Sequence, residues 1–225
     1  FRLHKAIEKN NQKVFLGFNR PGSVIGKIII DNLHNEEGIG VYNWFVAGHK
    51  IDPDNWYFRQ EEGGRILGNV CHWTDFLFHL VPADAIFPIM IIPTRGQKSD
   101  SNVAINYKFG DGSVAVITFS ALGHTFEGVR EKFNAHKGDC LINMDDFQLL
   151  RIDINEKVFR KKLVRRDHGH EKNIVDSYKM SIGTLDYKTS DNIFRIINTA
   201  WLFLKTKESL DIDKPLIIED YNPAS

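Results

Sequence analysis

The sequence predicts an α+β protein: a large open, mostly antiparallel sheet with helices on one face. Three observations predict it. From about residue 86 to 164 the chain is a succession of short β-like runs separated by turns. Gly110-Asp111-Gly112 and Asn155-Glu156 sit between such runs at hairpin spacing, and strands joined by hairpins make an antiparallel meander. Helical patterns precede and follow this stretch, which is the α+β arrangement.

In chain order, residues 2–10 read as the end of a helix, with Leu3, Ala6 and Ile7 on one side. Val14–Phe18 reads as a short buried strand. A helix followed at once by a buried strand is the closing unit of an α/β layer; this strand must pair with something absent from the chain or with a later segment, and it is read as the end of a larger upstream domain. Pro21 suits an early helical position, and Val24, Ile25, Ile28, Ile29 and Leu33 keep helical spacing to about His34. Residues 39–47 read as a strand. Residues 48–62 read as a loop, with Asp52-Pro53-Asp54 as its turn and Trp56-Tyr57-Phe58 as an aromatic cluster. A helix opened by Gly63-Gly64 then runs to about Val81.

The β-like runs are Ile86–Ile92, Val103–Phe109, Val114–Ser120, Val129–Ala135, Cys140–Asn143, Phe147–Ile154 and Lys157–Val164. Helices are expected over Lys172–Ile182 and Asp191–Lys207, the second with a stripe of Ile193, Ile196, Ile197, Ala200, Trp201 and Leu204. From Asp213 the tail reads as extended and polar. Such an open sheet has two faces to cover. Helices supply one cover and a second copy of the chain the other, so a homodimer or homotetramer through the open face is expected.

A hydrophobic content of 42% and 225 residues suffice for a substantial core, in one large domain or two small ones. Twenty-nine basic and twenty-nine acidic residues cancel, which argues against nucleic acid or an anionic membrane as the main partner. The one basic cluster, Arg160, Lys161, Lys162, Arg165 and Arg166, reads as the solvated face of a strand, with a phosphate-bearing ligand as the alternative. Two distant cysteines, Cys71 and Cys140, make no disulfide framework, so a reducing, cytoplasmic setting is expected. No apolar run is long enough to span a bilayer and no signal peptide is visible. The chain starts at Phe1 rather than Met, so the natural N-terminus is expected upstream.

The richest stretch for chemistry is residues 63–75. His72 and Asp75 lie three apart, which on a helix places both on one face. An imidazole beside a carboxylate moves protons near neutral pH. The alternative is a half-buried histidine satisfied by its neighbours. His79 extends the series to i, i+3, i+7, a metal-compatible spacing, but the apolar residues around it favour packing and no metal is expected. His168 and His170 straddle a glycine at a helix start, with Asp167 suited to the N-terminus.

Five segments, in order, resemble the Gfo/Idh/MocA oxidoreductases, which include glucose–fructose oxidoreductase and inositol dehydrogenase. Val14-Phe15-Leu16-Gly17-Phe18-Asn19-Arg20 resembles the family's strand leaving the nucleotide-binding domain. Gly63-Gly64-Arg65-Ile66-Leu67-Gly68 with Cys71-His72-Trp73-Thr74-Asp75 resembles its histidine helix. Asp111-Gly112-Ser113, Met144-Asp145-Asp146-Phe147 and Asp167-His168-Gly169-His170 are similar to its hairpin, a later strand and a helix start. The match runs almost end to end and is strongest to members linked to sugar and polysaccharide metabolism.

The resemblance implies that residues 1–19 are the last helix and strand of a Rossmann domain and that 20–225 form a substrate-binding and oligomerisation domain. NAD or NADP would bind mainly upstream, since no G-x-G-x-x-G follows a strand here and the family's "EKP" lysine also lies upstream. The implied reaction is hydride transfer between nicotinamide and a hydroxyl-bearing carbon of a sugar, nucleotide sugar or cyclitol. His72 would be the base, with Asn69 and Asp75 assisting. Many relatives carry an acidic residue three or four positions before this histidine; Asn69 and Gly68 stand there instead. An amide orients an imidazole but does not stabilise imidazolium as a carboxylate does. Asn19 and Arg20 are implied to contact cofactor or substrate. Asn43, Lys50, Trp56, Tyr57 and His170 are implied to bind the sugar, Trp56 by offering an aromatic face. The competing reading is a non-catalytic binding or assembly module; a metal hydrolase using the helix histidines is third.

Overall fold

Alternation in the sequence becomes sheet, and the sheet organises everything else. The computed structural model describes residues 2–10, 14–52, 54–59, 62–96, 102–123, 128–185 and 189–221. Helix α1 (Arg2–Asn10) leads to residues 14–19, a 3-10 turn at Arg20–Gly22 and helix α2 (Val24–His34), whose N-terminus is capped by Ser23 Oγ accepting from the Gly26 N–H. Strand β1 (Gly40–Ala47), a loop with a 3-10 turn at Trp56–Phe58, a π-helical turn at Ile66–Val70 and helix α3 (Cys71–Phe78) follow. Next come β2 (Ile89–Arg95), β3 (Asn102–Lys108), β4 (Val114–Ser120), β5 (Arg130–Lys137), β6 (Cys140–Asp145), β7 (Leu149–Ile154) and β8 (Lys157–Lys162). Helices α4 (His170–Ser181) and α5 (Thr189–Ile212) precede the last strand, β9 (Leu216–Ile218).

The nine strands among the described residues form one sheet, ordered β8-β7-β6-β5-β1-β4-β3-β2-β9. The predicted meander is broken once. β1 slots between β4 and β5, parallel to the first and antiparallel to the second. The sheet is therefore mixed but mostly antiparallel. The Asn155-Glu156 hairpin closes with both residues in the left-handed region, at φ 47° and 61°.

On β1, Tyr42, Trp44 and Val46 point into the core while Val41 and Phe45 are exposed. Trp44 meets Phe76 of α3 edge-on at 5.3 Å and Phe133 of β5 at 4.6 Å. Ile25, Ile29 and Leu33 of α2 and Leu202 and Leu210 of α5 join the same core. Each such side chain contributes about 1.5–3 kcal/mol on leaving water, so this seam, rather than the exposed hairpins, carries the stability. The other face of the sheet is open and leaves Val41, Phe45, Ile92, Leu141 and Leu149 exposed.

Four expectations need correction. Residues 14–18 are not assigned to a strand, and Asn173 Nδ2 donates to the carbonyls of Leu16 and Phe18. Residues 66–70 are π-helical, not α-helical. The tail adds an edge strand, because Ile218 finds a buried place beside Ile89. The buried stripe of α5 is more polar than its sequence suggests: Leu204 is exposed, while Thr199, Thr206 and Ser209 are buried, Thr206 against the Tyr107 hydroxyl at 3.0 Å. Part of the expected stripe, including Ile193, lies outside the residues whose side chains are described.

Candidate active site

Polar side chains gather at one end of the sheet, where β1 and β4 finish and β5 starts. Glu131, fully buried on β5 opposite Val46, is their anchor. Arg20 grips it with two parallel bonds, Nε to Oε2 at 2.7 Å and Nη2 to Oε1 at 2.6 Å. The Trp73 indole N–H donates to the same carboxylate at 2.8 Å, and the Arg20 guanidinium lies over the Trp73 ring. Burial alone would raise the Glu131 pKa; the Arg20 charge and these donors hold it below the ordinary value.

His168 Nε2 sits 3.6 Å from Glu131 and 3.9 Å from Asp146, and Asp146 in turn accepts from Arg130 and Arg166. Asn19 Nδ2 donates to the His168 carbonyl at 2.6 Å and lies 3.2 Å from His170 Nε2. Gly169 makes this joint possible. Its φ is 83°, and a Cβ there would stand 2.1 Å from the Asn19 carbonyl oxygen.

His72 faces this cluster from the first turn of α3. Its half-buried ring meets Phe18 edge-on at 5.3 Å, and Nδ1 has no hydrogen-bond partner. Burial lowers its pKa to about 4, helped by Arg20 and His170 and opposed by Glu131 and Asp75. The imidazole is therefore neutral at pH 7 and able to accept a proton. Burial and the cationic charges nearby likewise push His168 down.

Asp75 does not share that position. It is fully buried and turns to α5, 3.6 Å from His79 Nε2 and 3.7 Å from Arg195 Nη2. It acts on His72 only through the field.

A second group forms between the π-turn and the loop after β1. The Tyr57 hydroxyl donates to the Gly68 carbonyl at 3.0 Å and contacts the Asn69 side chain. A Cβ on Gly68 would lie 2.4 Å from the Tyr57 ring, so the ring occupies the space a side chain there would need. Trp56, half exposed, packs on Tyr57 at 4.4 Å. Burial raises the Tyr57 pKa, so it stays a neutral donor. Arg65 is buried between Tyr57 and Phe119.

Of the residues singled out in the sequence, the structure brings His72, Asn19, Arg20 and His170 into one cluster and Asn69, Tyr57 and Trp56 into the adjoining one. Lys50 is exposed on the loop. Asn43 lies on the open face of the sheet, across from Asn134, away from the helix layer that carries His72. Asp52 and Asp54 form the loop turn's ends, with Pro53 outside the described residues. Sequence reasoning passed over Glu131 and Arg65. Glu131 had a signal: it takes an inward place in the alternating run Glu131, Phe133, Ala135.

No protein-family model and no curated protein matches this chain. Solved structures do. An oxidoreductase, so described, from Thermotoga maritima superposes with a TM-score of 0.76 at 13% identity, over 96% of this chain and 68% of its own. Levoglucosan dehydrogenase in complex with NADH and L-sorbose gives 0.73 at 13% identity, over 97% and 69%. Aldose-aldose oxidoreductase from Caulobacter crescentus, complexed with glycerol, gives 0.70 at 10% identity, over 95% and 66%. At such identities the likeness speaks for the fold: this chain has an α+β architecture found, over about two thirds of their length, in structures of oxidoreductases and dehydrogenases.

Proposed function

We propose that the chain is the substrate-binding and assembly part of an NAD(P)-dependent oxidoreductase of the Gfo/Idh/MocA type, acting on a sugar, nucleotide sugar or cyclitol hydroxyl. The observation that carries this is His72. It is a neutral imidazole with an unpartnered Nδ1, placed where the segment 14–20 meets α3. Solved structures of the same fold named as complexes with NADH and a sugar, or with glycerol, support the reading.

Arg20, whose charge acts on His72, is committed to Glu131. We assign the nucleotide to a Rossmann domain ahead of residue 1, with residues 1–19 as its end, on the resemblance of the segment 14–20. When bound there, the nicotinamide takes or gives the hydride. This chain's own residues handle the rest. His72 accepts the hydroxyl proton in oxidation and returns it in reduction. Asp75 favours imidazolium through the field, and Asn19 and His170 border the same space. Asn69 and the Tyr57 hydroxyl offer hydrogen bonds to a polyol, Trp56 an aromatic face for its C–H surface, and Lys50 a rim contact. Asn43 falls to the open face, which we assign to a homodimer or homotetramer. Two free, buried thiols fit a reducing cytoplasm, and no helix among the described residues is long and apolar enough to cross a membrane.

A second reading, a non-catalytic module of the same fold, draws on Gly68, where the Tyr57 ring leaves no room for a carboxylate. The test is NAD⁺- and NADP⁺-linked oxidation of a polyol panel by the protein including its upstream region. Turnover of one polyol class supports the enzyme; none, with the nucleotide bound, supports the module.

A further inference from the structure

Arg65 is a buried charge without a counter-charge. It is 2% exposed. Among the described residues no carboxylate pairs with it, and its Nε–H has no hydrogen-bond partner. Its Nη2 reaches only the His49 carbonyl, at a long 3.4 Å. The guanidinium carbon sits 5.3 Å from the Phe119 ring centre and 5.9 Å from that of Tyr57, so rings border it but do not satisfy its N–H groups. Gly48 leaves the room: a Cβ there would stand 2.6 Å from Nη2.

Arginine is almost never this buried unless paired, because an uncompensated cation is costly away from water. The same fold shows the paired case. Arg20 uses its Nε/Nη2 edge to hold both oxygens of Glu131. On Arg65 the corresponding edge has an idle Nε and a weakly held Nη2. That edge is the fork that fits a carboxylate or a phosphate.

The surroundings point to a polar ligand as well. Asn69, one turn along from Arg65 and in contact with Tyr57, has a buried Oδ1 without a partner. His49 Nδ1, on the residue whose carbonyl Arg65 touches, and His72 Nδ1 are likewise buried and unpartnered. Buried polar atoms without partners call for waters or a ligand; here two of them, on Asn69 and His72, lie along the helix that leads on from Arg65, and the third is on His49 in the loop after β1.

We propose that Arg65 is the anion-recognition residue of this site, and that the substrate is a polyol bearing a carboxylate or phosphate group. The inference rests on reading the surroundings of His72, Asn69 and Tyr57 as a polyol site. It makes the substrate an acidic sugar or a sugar phosphate, with the charged group at Arg65, hydroxyls at Asn69 and the reacting carbon toward His72.

The test needs no nucleotide. The protein including its upstream region, without added nucleotide, is titrated calorimetrically with gluconate, sorbitol 6-phosphate and sorbitol at constant ionic strength. One of the two anions is expected to bind at least about tenfold tighter than sorbitol, the worth of one charge-assisted hydrogen bond. Which anion wins names the charged group. Arg65→Met is expected to abolish the gap and, in anion-free buffer, to leave Tm equal or higher, since it removes an unpaired buried charge. Arg65→Lys, which keeps the charge but not the fork, is expected to keep only part of the gap. Equal affinities in the wild type overturn the proposal, as does a gap that survives Arg65→Met. A lower Tm for Arg65→Met with the gap intact in Arg65→Lys would also overturn it, making Arg65 a structural residue. NAD(P)⁺-linked turnover of a neutral polyol as the preferred substrate would overturn the anion inference while leaving the oxidoreductase reading in place.

Discussion

At the scale of single residues, the end of the sheet is governed by which charges are paired. Glu131 is compensated by Arg20 and Trp73 in a buried space, so its removal leaves a buried guanidinium alone. Glu131→Gln is expected to lower the unfolding free energy by about 3 kcal/mol or more. Urea denaturation checks this, and a loss below about 1 kcal/mol would class the pair with exposed bridges. The histidines add a pH dependence. His72, His79 and His168 all have pKa values lowered by burial, His72 to about 4. In the unfolded chain they titrate near 6.5. Between those values the unfolded state binds more protons, so stability falls as pH drops from about 6.5 toward 4. Thermal melts across that range should show Tm falling, with a shallower slope for His72→Gln; an unchanged slope would remove His72 from the balance. His72 was legible from its place in a motif. Glu131 was visible only as an acid in the inward phase of its strand, and its partner Arg20 lies 111 positions away, beyond the reach of any local pattern.

At the scale of elements, two close approaches set the site. Gly169 lets the start of α4 touch the Asn19 backbone. Gly169→Ala combines a positive φ with a backbone clash and is expected to cost about 2 kcal/mol or more, read as a drop in the urea midpoint. If Gly169→Ala is neutral, the joint between residues 19–24 and 167–170 is not as tight as described. The π-turn before α3 is a second device: it joins Arg65 and Asn69, which contact Tyr57, to the helix that presents His72. Most strands and helices were legible because alternation and helical spacing are local. The π-turn was not, because its residues read as ordinary helix formers. β9 was missed because three apolar residues between Pro215 and Glu219 carry almost no pattern, and α5 was misread because Thr206 answers to Tyr107 and Ser209 to the Lys214 carbonyl, not to the helix's own periodicity. Residues 14–18 read as a strand but are not assigned as one, and the bonds from Asn173 to the Leu16 and Phe18 carbonyls that help place them span more than 150 positions, beyond any local pattern.

At the scale of the whole molecule, one face of the sheet carries the core and the other is open. Val41 and Phe45 stand exposed at the centre of that open face, on the strand flanked by β4 and β5. If this face assembles copies of the chain, Phe45→Glu together with Val41→Glu should convert the oligomer to monomers in analytical ultracentrifugation; an unchanged mass would move the interface elsewhere. The mixed topology was not legible, since the insertion of β1 between β4 and β5 is a long-range choice. The two-faced sheet was, because it follows from alternation alone.

The claim on which the rest depends is that the His72 imidazole handles the substrate proton. The most direct measurement is kcat for NAD(P)⁺-linked polyol oxidation by the protein with its upstream region, wild type against His72→Ala, with Tm measured for both. The account predicts a fall in kcat of about 10²-fold or more at comparable Tm. An unchanged kcat would contradict it.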